Sequence, residues 1–427
     1  VPVSISFRKQ AYNFYTSNKS NMKKLIALWA ICIIVFSISS CSDSDDNSAD
    51  NYTKQTILVY MPWSGSATSN GLYSFFQQNL DSIEAGIIAN KGLNGCRVLV
   101  FLSNTASSSN LYEINYDNGK CTHTPIKEYS GNTVYTTADG IKQIVSETAQ
   151  YAPALNYAMI IGCHGTGWTQ KDIWENYPNY AKKFQFYDQP TTSYMKTRFY
   201  GSVDDIANYA TDVSTLAQGI ADTGIKMQYI LFDDCYMANA ETAYELRNAT
   251  NFLIASTSEV IVIGMPYKSM WSSLCAGVPN YTTAVSQFNN FYKNYTVPCG
   301  ALSVIDCRQM ESLADAMKKI NAKNTFDESL RDSLQVLDGF HSTIFYDMGD
   351  YVKRLDGKSA QYSTFTTTLS KAIRATATTE RLYSYLYNTP IYINVKNYSG
   401  ITISDPTQNT TALKGVQKTS WWKATHE

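Results

Sequence analysis

Two segments of the chain run from apolar strand-like stretches straight into residues able to do covalent chemistry. NYAMIIGCHGTGW (156–168) leads into Gly162-Cys163-His164-Gly165, and YILFDDCYMANAETAYEL (229–246) leads into Asp233-Asp234-Cys235. A thiol facing an imidazole is a nucleophile with its base: the ring takes the thiol proton and later returns it to a leaving amine. A helix expected over about 238–248 would present its positive end to Cys235 and favour the thiolate. Gly165 leaves its backbone N–H open, so that with the N–H of Cys235 it could bind the oxyanion of a tetrahedral intermediate. Asp233, two residues before Cys235, could face the cleft as a receptor for a basic side chain. Plainer readings compete with these. Free cysteines are commonly just buried, and the neighbouring carboxylates Asp233 and Asp234 oppose ionisation of the thiol. Cys163 is a rival nucleophile, but next to His164 on extended chain it should point to the opposite face. His123 and His341 read as surface or packing residues.

The elements that must position these groups alternate in type. Strands are expected at 56–60, 97–102, 157–161, 229–232, 252–255 and 301–305. Helices are expected over about 71–90, 138–151, 212–223 with Asp212 as N-cap, and 282–295. A hairpin over 111–127 turns at Asp117-Asn118-Gly119. This order predicts an α/β domain over 55–307, with a mostly parallel sheet covered on both faces. Ligands of such sheets bind beyond the carboxyl ends of the strands, where His164 and Cys235 both fall. The stretch 165–212, rich in Tyr, Lys, Asn and Pro, is too long for an ordinary connection. Its Lys171, Lys182, Lys183, Lys196 and Arg198 are candidate points of self-cleavage. Residues 308–427 read as a largely helical C-terminal subdomain with short strands near 390–395 and 400–403.

Composition narrows the setting. A net charge of −1 lacks the basic footprint that nucleic-acid binding requires. No C-x-x-C pair occurs and only four histidines are present, which argues against zinc. Met22-Lys23-Lys24, an apolar run over 25–36 and Ser37-Ile38-Ser39-Ser40-Cys41 resemble a lipoprotein signal peptide (22–40) ending in a lipobox. Cys41 would then carry the lipid, and 41–54, opening Ser42-Asp43-Ser44-Asp45-Asp46, would be a flexible acidic tether. That acidic run also resembles an export signal to the outer face of the outer membrane. Residues 1–21 precede this start and read as a non-native upstream extension. Of nine cysteines, Cys32 lies in the removed segment and Cys41 is lipidated, leaving an odd number that cannot all pair within the chain.

A strand ending in His-Gly, followed by a strand ending in Asp-x-Cys and a helix, resembles the clostripain family of cysteine peptidases. The resemblance runs from about Gln55 to Pro266-Tyr267, and more loosely to the C-terminus. It implies a caspase-like α/β/α fold and an endopeptidase working through a Cys–His dyad and a thioacyl-enzyme, with cleavage after Arg or Lys. On this chain it assigns Cys235 as nucleophile, His164 as dyad histidine and Asp233 as a wall of the S1 pocket. No cofactor is implied except calcium, which some members use; Asp306, Asp347 and Asp350 are the acids that suggest a site, against the ordinary reading of solvated carboxylates. One departure concerns specificity. Members that prefer basic P1 residues carry another acid in the Gly-rich segment after the next strand. Here Glu259 sits early in that segment and Val260-Ile261-Val262-Ile263 follow. The second reading of the chain is a catalytically degenerate lipoprotein that binds peptide or glycan in the same cleft.

Overall fold

A computed structural model of the protein describes residues 53–68, 71–131, 134–174, 202, 205–386 and 390–427. The centre of the fold is β1 (Gln55–Met61), buried at all seven positions. It pairs in parallel with β2 (Cys96–Thr105) and β5 (Asn156–Ile161). β6 (Met227–Phe232) and β7 (Thr250–Ala255) continue the parallel run. Such strands read as unbroken apolar runs because both of their faces are covered. Alternate residues divide between two cores. Leu58, Tyr60, Met159, Ile161, Ile230 and Phe232 join one, while Ile57, Val59, Ala158, Ile160, Tyr229 and Leu231 join the other.

Helices cover both faces. Ala138–Tyr151 and Val213–Ala221 lie on the first, and Tyr73–Ala89, Tyr267–Leu274 and Tyr281–Lys293 lie on the second. Asp212 does precede the helix Val213–Ala221, but its side chain makes no cap bond. Its carboxylate instead accepts from Lys171 N at 2.8 Å.

The flanks of the sheet are antiparallel. β3 (Ser108–Asp117) and β4 (Lys120–Ser130) form the expected hairpin, with Asn118 and Gly119 at φ 47° and 82°, the left-handed pair that a two-residue turn requires. On the other side β8 (Ala301–Asp306) runs against β7, not with it. Two helices, Tyr267–Leu274 and Tyr281–Lys293, separate β7 from β8. One crossover helix would return the chain for a parallel strand; a second brings it back to the far end and reverses the next strand.

The segment after 308 supplies the short pair β9 (Tyr346–Asp347) and β13 (Thr402–Ile403), the pair β11 (Arg381–Ser384) and β12 (Ile391–Asn394), and β10 (Ile373–Thr378). β10 pairs with β8 and completes a nine-stranded sheet of order β10-β8-β7-β6-β5-β1-β2-β3-β4. Leu313, Phe365 and Trp421 from this segment pack in the same core as Met159 and Phe232. Tyr52–Glu427 is one compact unit.

Helix Tyr73–Ala89 meets helix Tyr267–Leu274 at Gly86, where a Cβ would lie 2.6 Å from the Cβ of the fully buried Trp271. Gly86→Ala is therefore expected to lower unfolding free energy by about 1–3 kcal/mol, as an overpacked contact does. On an open helix face the same change would stabilise by about 1 kcal/mol. The urea unfolding midpoint distinguishes the two signs.

Candidate active site

β5 and β6 stay in register to Ile161 opposite Phe232, and Asp233 N donates to Ile161 O at 2.8 Å just beyond. Past that point a side chain takes over from the backbone ladder. The Asp234 carboxylate accepts Cys163 N at 2.8 Å through Oδ1 and the Cys163 thiol at 3.2 Å through Oδ2. The next residue on each chain is His164 and Cys235, so the two come opposite one another at the carboxyl edge. Gly165 lies on the Cys235 backbone: a Cβ there would be 3.1 Å from Cys235 N and would overlap the Cys235 carbonyl oxygen. Only glycine lets the histidine loop come this close. His164 is buried and Cys235 fully so. Cys163 points into the core toward Asp234, away from Cys235.

The Cys235 sulfur meets the backbone of Val260, accepting from its N–H at 3.2 Å and donating to its carbonyl at 3.7 Å. Tyr236 follows with φ 62°, a left-handed conformation that costs a bulky residue about 1–3 kcal/mol. Four contacts hold it there. Its N–H donates to Ser258 O at 3.0 Å, and its hydroxyl donates to Glu259 at 2.6 Å. Asn239 Nδ2 donates to its carbonyl at 2.7 Å, and its ring stacks on Phe345 with centroids 5.0 Å apart. Burial and the nearby Glu259 push the Tyr236 phenol far up, so it acts as a neutral donor.

The expected helix after Cys235 begins later than the sequence suggested. Ala240–Glu245 is capped by Asn239, whose side chain accepts from Thr242 N. Four residues separate Cys235 from its first helical turn, so Cys235 is not itself at the helix N-terminus. Val260 N–H is the dipole that reaches the sulfur instead.

Asp233 is fully buried, accepting from Met265 N and Tyr267 hydroxyl at 3.0 Å each. Gly264, at φ 67°, lies on this carboxylate, and a Cβ there would overlap both oxygens. Glu259 is committed elsewhere: its oxygens accept from Tyr236 hydroxyl and from Tyr385 N at 3.1 Å. The structure thus brings Cys235, His164, Gly165 and Asp233 to one edge, with Glu259 behind the turn as its support.

Sequence reasoning passed over the groups that brace this edge. Asp338 accepts from the N–H groups of Phe340, Ile344 and Phe345, which sets Phe340 and Phe345 against Tyr236. Burial lifts its carboxyl to about 7. Trp168 Nε1 donates to Ser404 at 2.8 Å, Ser404 N donates to Glu241 at 2.8 Å, and Thr402 N donates to Ala238 O at 3.0 Å. These bonds tie the C-terminal segment to both the histidine and cysteine loops. The only sequence sign of these groups is a lone acid at each of 241 and 338 in largely uncharged stretches.

The acids considered for calcium are buried structural groups rather than solvated ones. Asp306 binds Arg308, Asp347 caps the helix Met348–Asp356 and receives Ser399, and Asp350 accepts from Gln335 N and Asn397. Among the described residues no cluster of three acid, histidine or cysteine ligands forms. Seven cysteines there form no disulfide, Cys235 included. His123 pairs with Glu84 at the surface. Cys41, the signal segment, residues 1–21 and the basic residues Lys182, Lys183, Lys196 and Arg198 lie outside the described residues. No helix among the described residues is long and apolar enough to cross a membrane.

A nine-stranded mixed sheet with helices on both faces defines a caspase-like α/β/α fold. The family model of the clostripain family matches residues 59–412. A secreted C11 cysteine protease of Bacteroides thetaiotaomicron, iotapain, is 39% identical, with a TM-score of 0.77 over 88% of this chain and 99% of its own. A clostripain from the same species, solved with a peptide inhibitor, is 44% identical over 52% of this chain and 96% of its own, with a TM-score of 0.50. An inactive zymogen C11 protease of Parabacteroides distasonis shares the fold at 23% identity, TM-score 0.71, over 88% of this chain and 99% of its own. A comparison with curated proteins returns no match. The chain belongs to the clostripain family and is a cysteine peptidase.

Behind the cysteine turn, burial lifts Glu241 to about 7, and burial together with Glu241 lifts Asp405 well above the carboxylate range. A carboxyl raised in the folded state lends stability that is complete below its unfolded value, about 4.3, and is lost as pH rises through its folded one. The unfolding midpoint should therefore fall between pH ~4.3 and ~7. Glu241→Gln, which cannot ionise and removes the charge beside Asp405, should flatten that fall and raise stability at neutral pH. Urea titrations across this range measure both effects.

Proposed function

We propose that Cys235 and His164 form the catalytic dyad of a surface-anchored endopeptidase. The observation that carries this reading is the placement of the two residues opposite one another at the ends of β5 and β6, with Gly165 against the Cys235 backbone. His164 takes the thiol proton, and the sulfur attacks the scissile carbonyl carbon. The tetrahedral oxyanion rests on the N–H groups of Gly165 and Cys235. Collapse breaks the C–N bond as His164 protonates the amine, leaving a thioacyl-enzyme. Water, deprotonated by the same ring, releases the acid and restores the thiol. The buried sulfur touches Val260, so a peptide gains access when the segment around Val260 shifts.

A basic P1 side chain suits this site better through Asp233 than through Glu259. The Asp233 carboxylate accepts from two neutral donors, Met265 N–H and the Tyr267 hydroxyl, and a lysine or arginine side chain would bring it a cationic one. The glycine over it brings the chain close to that charge. The peptide in the inhibitor complex of the related clostripain reads VLTK and so ends in lysine. Cys41 is the proposed lipidation site, holding the enzyme on the cell envelope at the outer membrane. Extracellular proteins and peptides are the substrates, and self-cleavage falls in the basic stretch after His164.

Cys235→Ala and His164→Ala should each lower kcat/KM on fluorogenic peptides by about 10³-fold or more, without moving the unfolding midpoint. A Cys235→Ala enzyme with full activity overturns the dyad. In a library varied at P1, Lys and Arg should lead, and Asp233→Asn should erase that lead by about tenfold or more. Equal turnover of norleucine and lysine at P1 would remove the charge-based specificity.

A further inference from the structure

The peptidase chemistry occupies one edge of the sheet; the opposite edge, where the parallel strands begin, carries an unused surface. Gln55 pairs with Asn156 and Met159 with Ile230, so the same register carried back places Lys54, Leu155 and Lys226 side by side. Leu155 N donates to Thr53 O at 3.0 Å, and Lys54 N donates to Gly95 O at 2.7 Å. Asn156 Nδ2 reaches Gly277 O at 3.4 Å, bringing the loop that bears Val278 to the same place. Val278 is 87% exposed and Leu155 72%, while no other large hydrophobic among the described residues exceeds 48%. Each stands on a loop stiffened by proline, Pro153 in one and Pro279 in the other. Tyr151 is exposed beside them, with Arg97 over its ring at 5.0 Å. Lys54 and Lys226 are both exposed.

Aliphatic tips flanked by lysines, with an aromatic ring at the margin, match the chemistry of an anionic lipid surface. The position of the chain's entry selects that occupant. Only residues 42–52 separate Cys41 from Thr53, and even a fully extended chain of that length reaches no further than about 40 Å. We propose that this edge rests on the lipid headgroups. Val278 and Leu155 enter the interface, Lys54 and Lys226 meet anionic headgroups, and Cys235 faces away at the other end of the strands. The proposal rests on lipidation of Cys41.

The full chain, lipidated and reconstituted in phosphatidylethanolamine–phosphatidylglycerol vesicles, tests it with a photoactivatable diazirine phospholipid. Mass spectrometry should place the crosslinks in 151–156 and 276–279, and Leu155→Ser/Val278→Ser should reduce them at least fivefold. Crosslinks spread evenly, centred near Tyr392 or Leu413, or unchanged in the double variant overturn the proposal. Protein–protein crosslinks through these loops without lipid adducts also overturn it and make a second copy of the chain the occupant. Anchoring is read separately, by the shift of Cys41→Ala from the detergent phase to the aqueous phase. A wild type that stays aqueous defeats the anchor, and with it the proposed docking; a wild type in detergent with no crosslinks at these loops defeats the docking alone.

Discussion

Parallel strands lose their mutual register where the backbone ladder ends, and the residues that follow are then free to drift. In this chain the Asp234 carboxylate prevents that drift by holding both the N–H and the thiol of Cys163. A buried carboxylate is costly unless its oxygens are satisfied, and here two donors from the neighbouring strand end satisfy them. The alternation of side chains does the rest. The step that turns Asp234 toward Cys163 turns Asp233 and Cys235 the other way, toward Met265 and Tyr267 and toward Val260. One inward-facing acid therefore fixes the strand ends from which the proposed nucleophile and its base project.

The turn beyond Cys235 is maintained from a distance in sequence. A left-handed tyrosine is unfavourable alone, and each hydrogen bond that holds it contributes about 1 kcal/mol. Those bonds come from Ser258 and Glu259 on the segment after β7, and from Asn239. Stacking comes from Phe340 and Phe345, on a loop that Asp338 organises. The last part of the chain adds Thr402 and Ser404. The region after 308 is thus part of the support for the cysteine turn as well as part of the core.

The strand ends carrying His164 and Cys235 could be read from the sequence because β5 and β6 are buried on both faces and appear as apolar runs. The hairpin turn was legible for a different reason: Asn118-Gly119 is chemically suited to left-handed backbone. An apolar run has no polarity, so the direction of β8 was not legible; it depends on two intervening helices. β10, Ile-Arg-Ala-Thr-Ala-Thr, is too weakly apolar to announce a strand and is specified by its pairing with β8. The sequence shows a helix just after Cys235 and so points to its end as the dipole on the thiol. Its actual source, Val260, lies 25 residues away, and only the folded chain reveals that contact.

That these cysteines form no disulfide has a practical and evolutionary consequence. Among the described residues no covalent crosslink contributes to cohesion, which rests on two apolar cores and a nine-stranded ladder. Reductant strong enough to keep Cys235 as a thiol leaves that scaffold intact. The arrangement of the described residues calls for no disulfide bond to close it. Mutational drift at Cys299 carries only the cost of a small packing change, whereas at Cys96 it also removes a hydrogen-bond partner of Cys275.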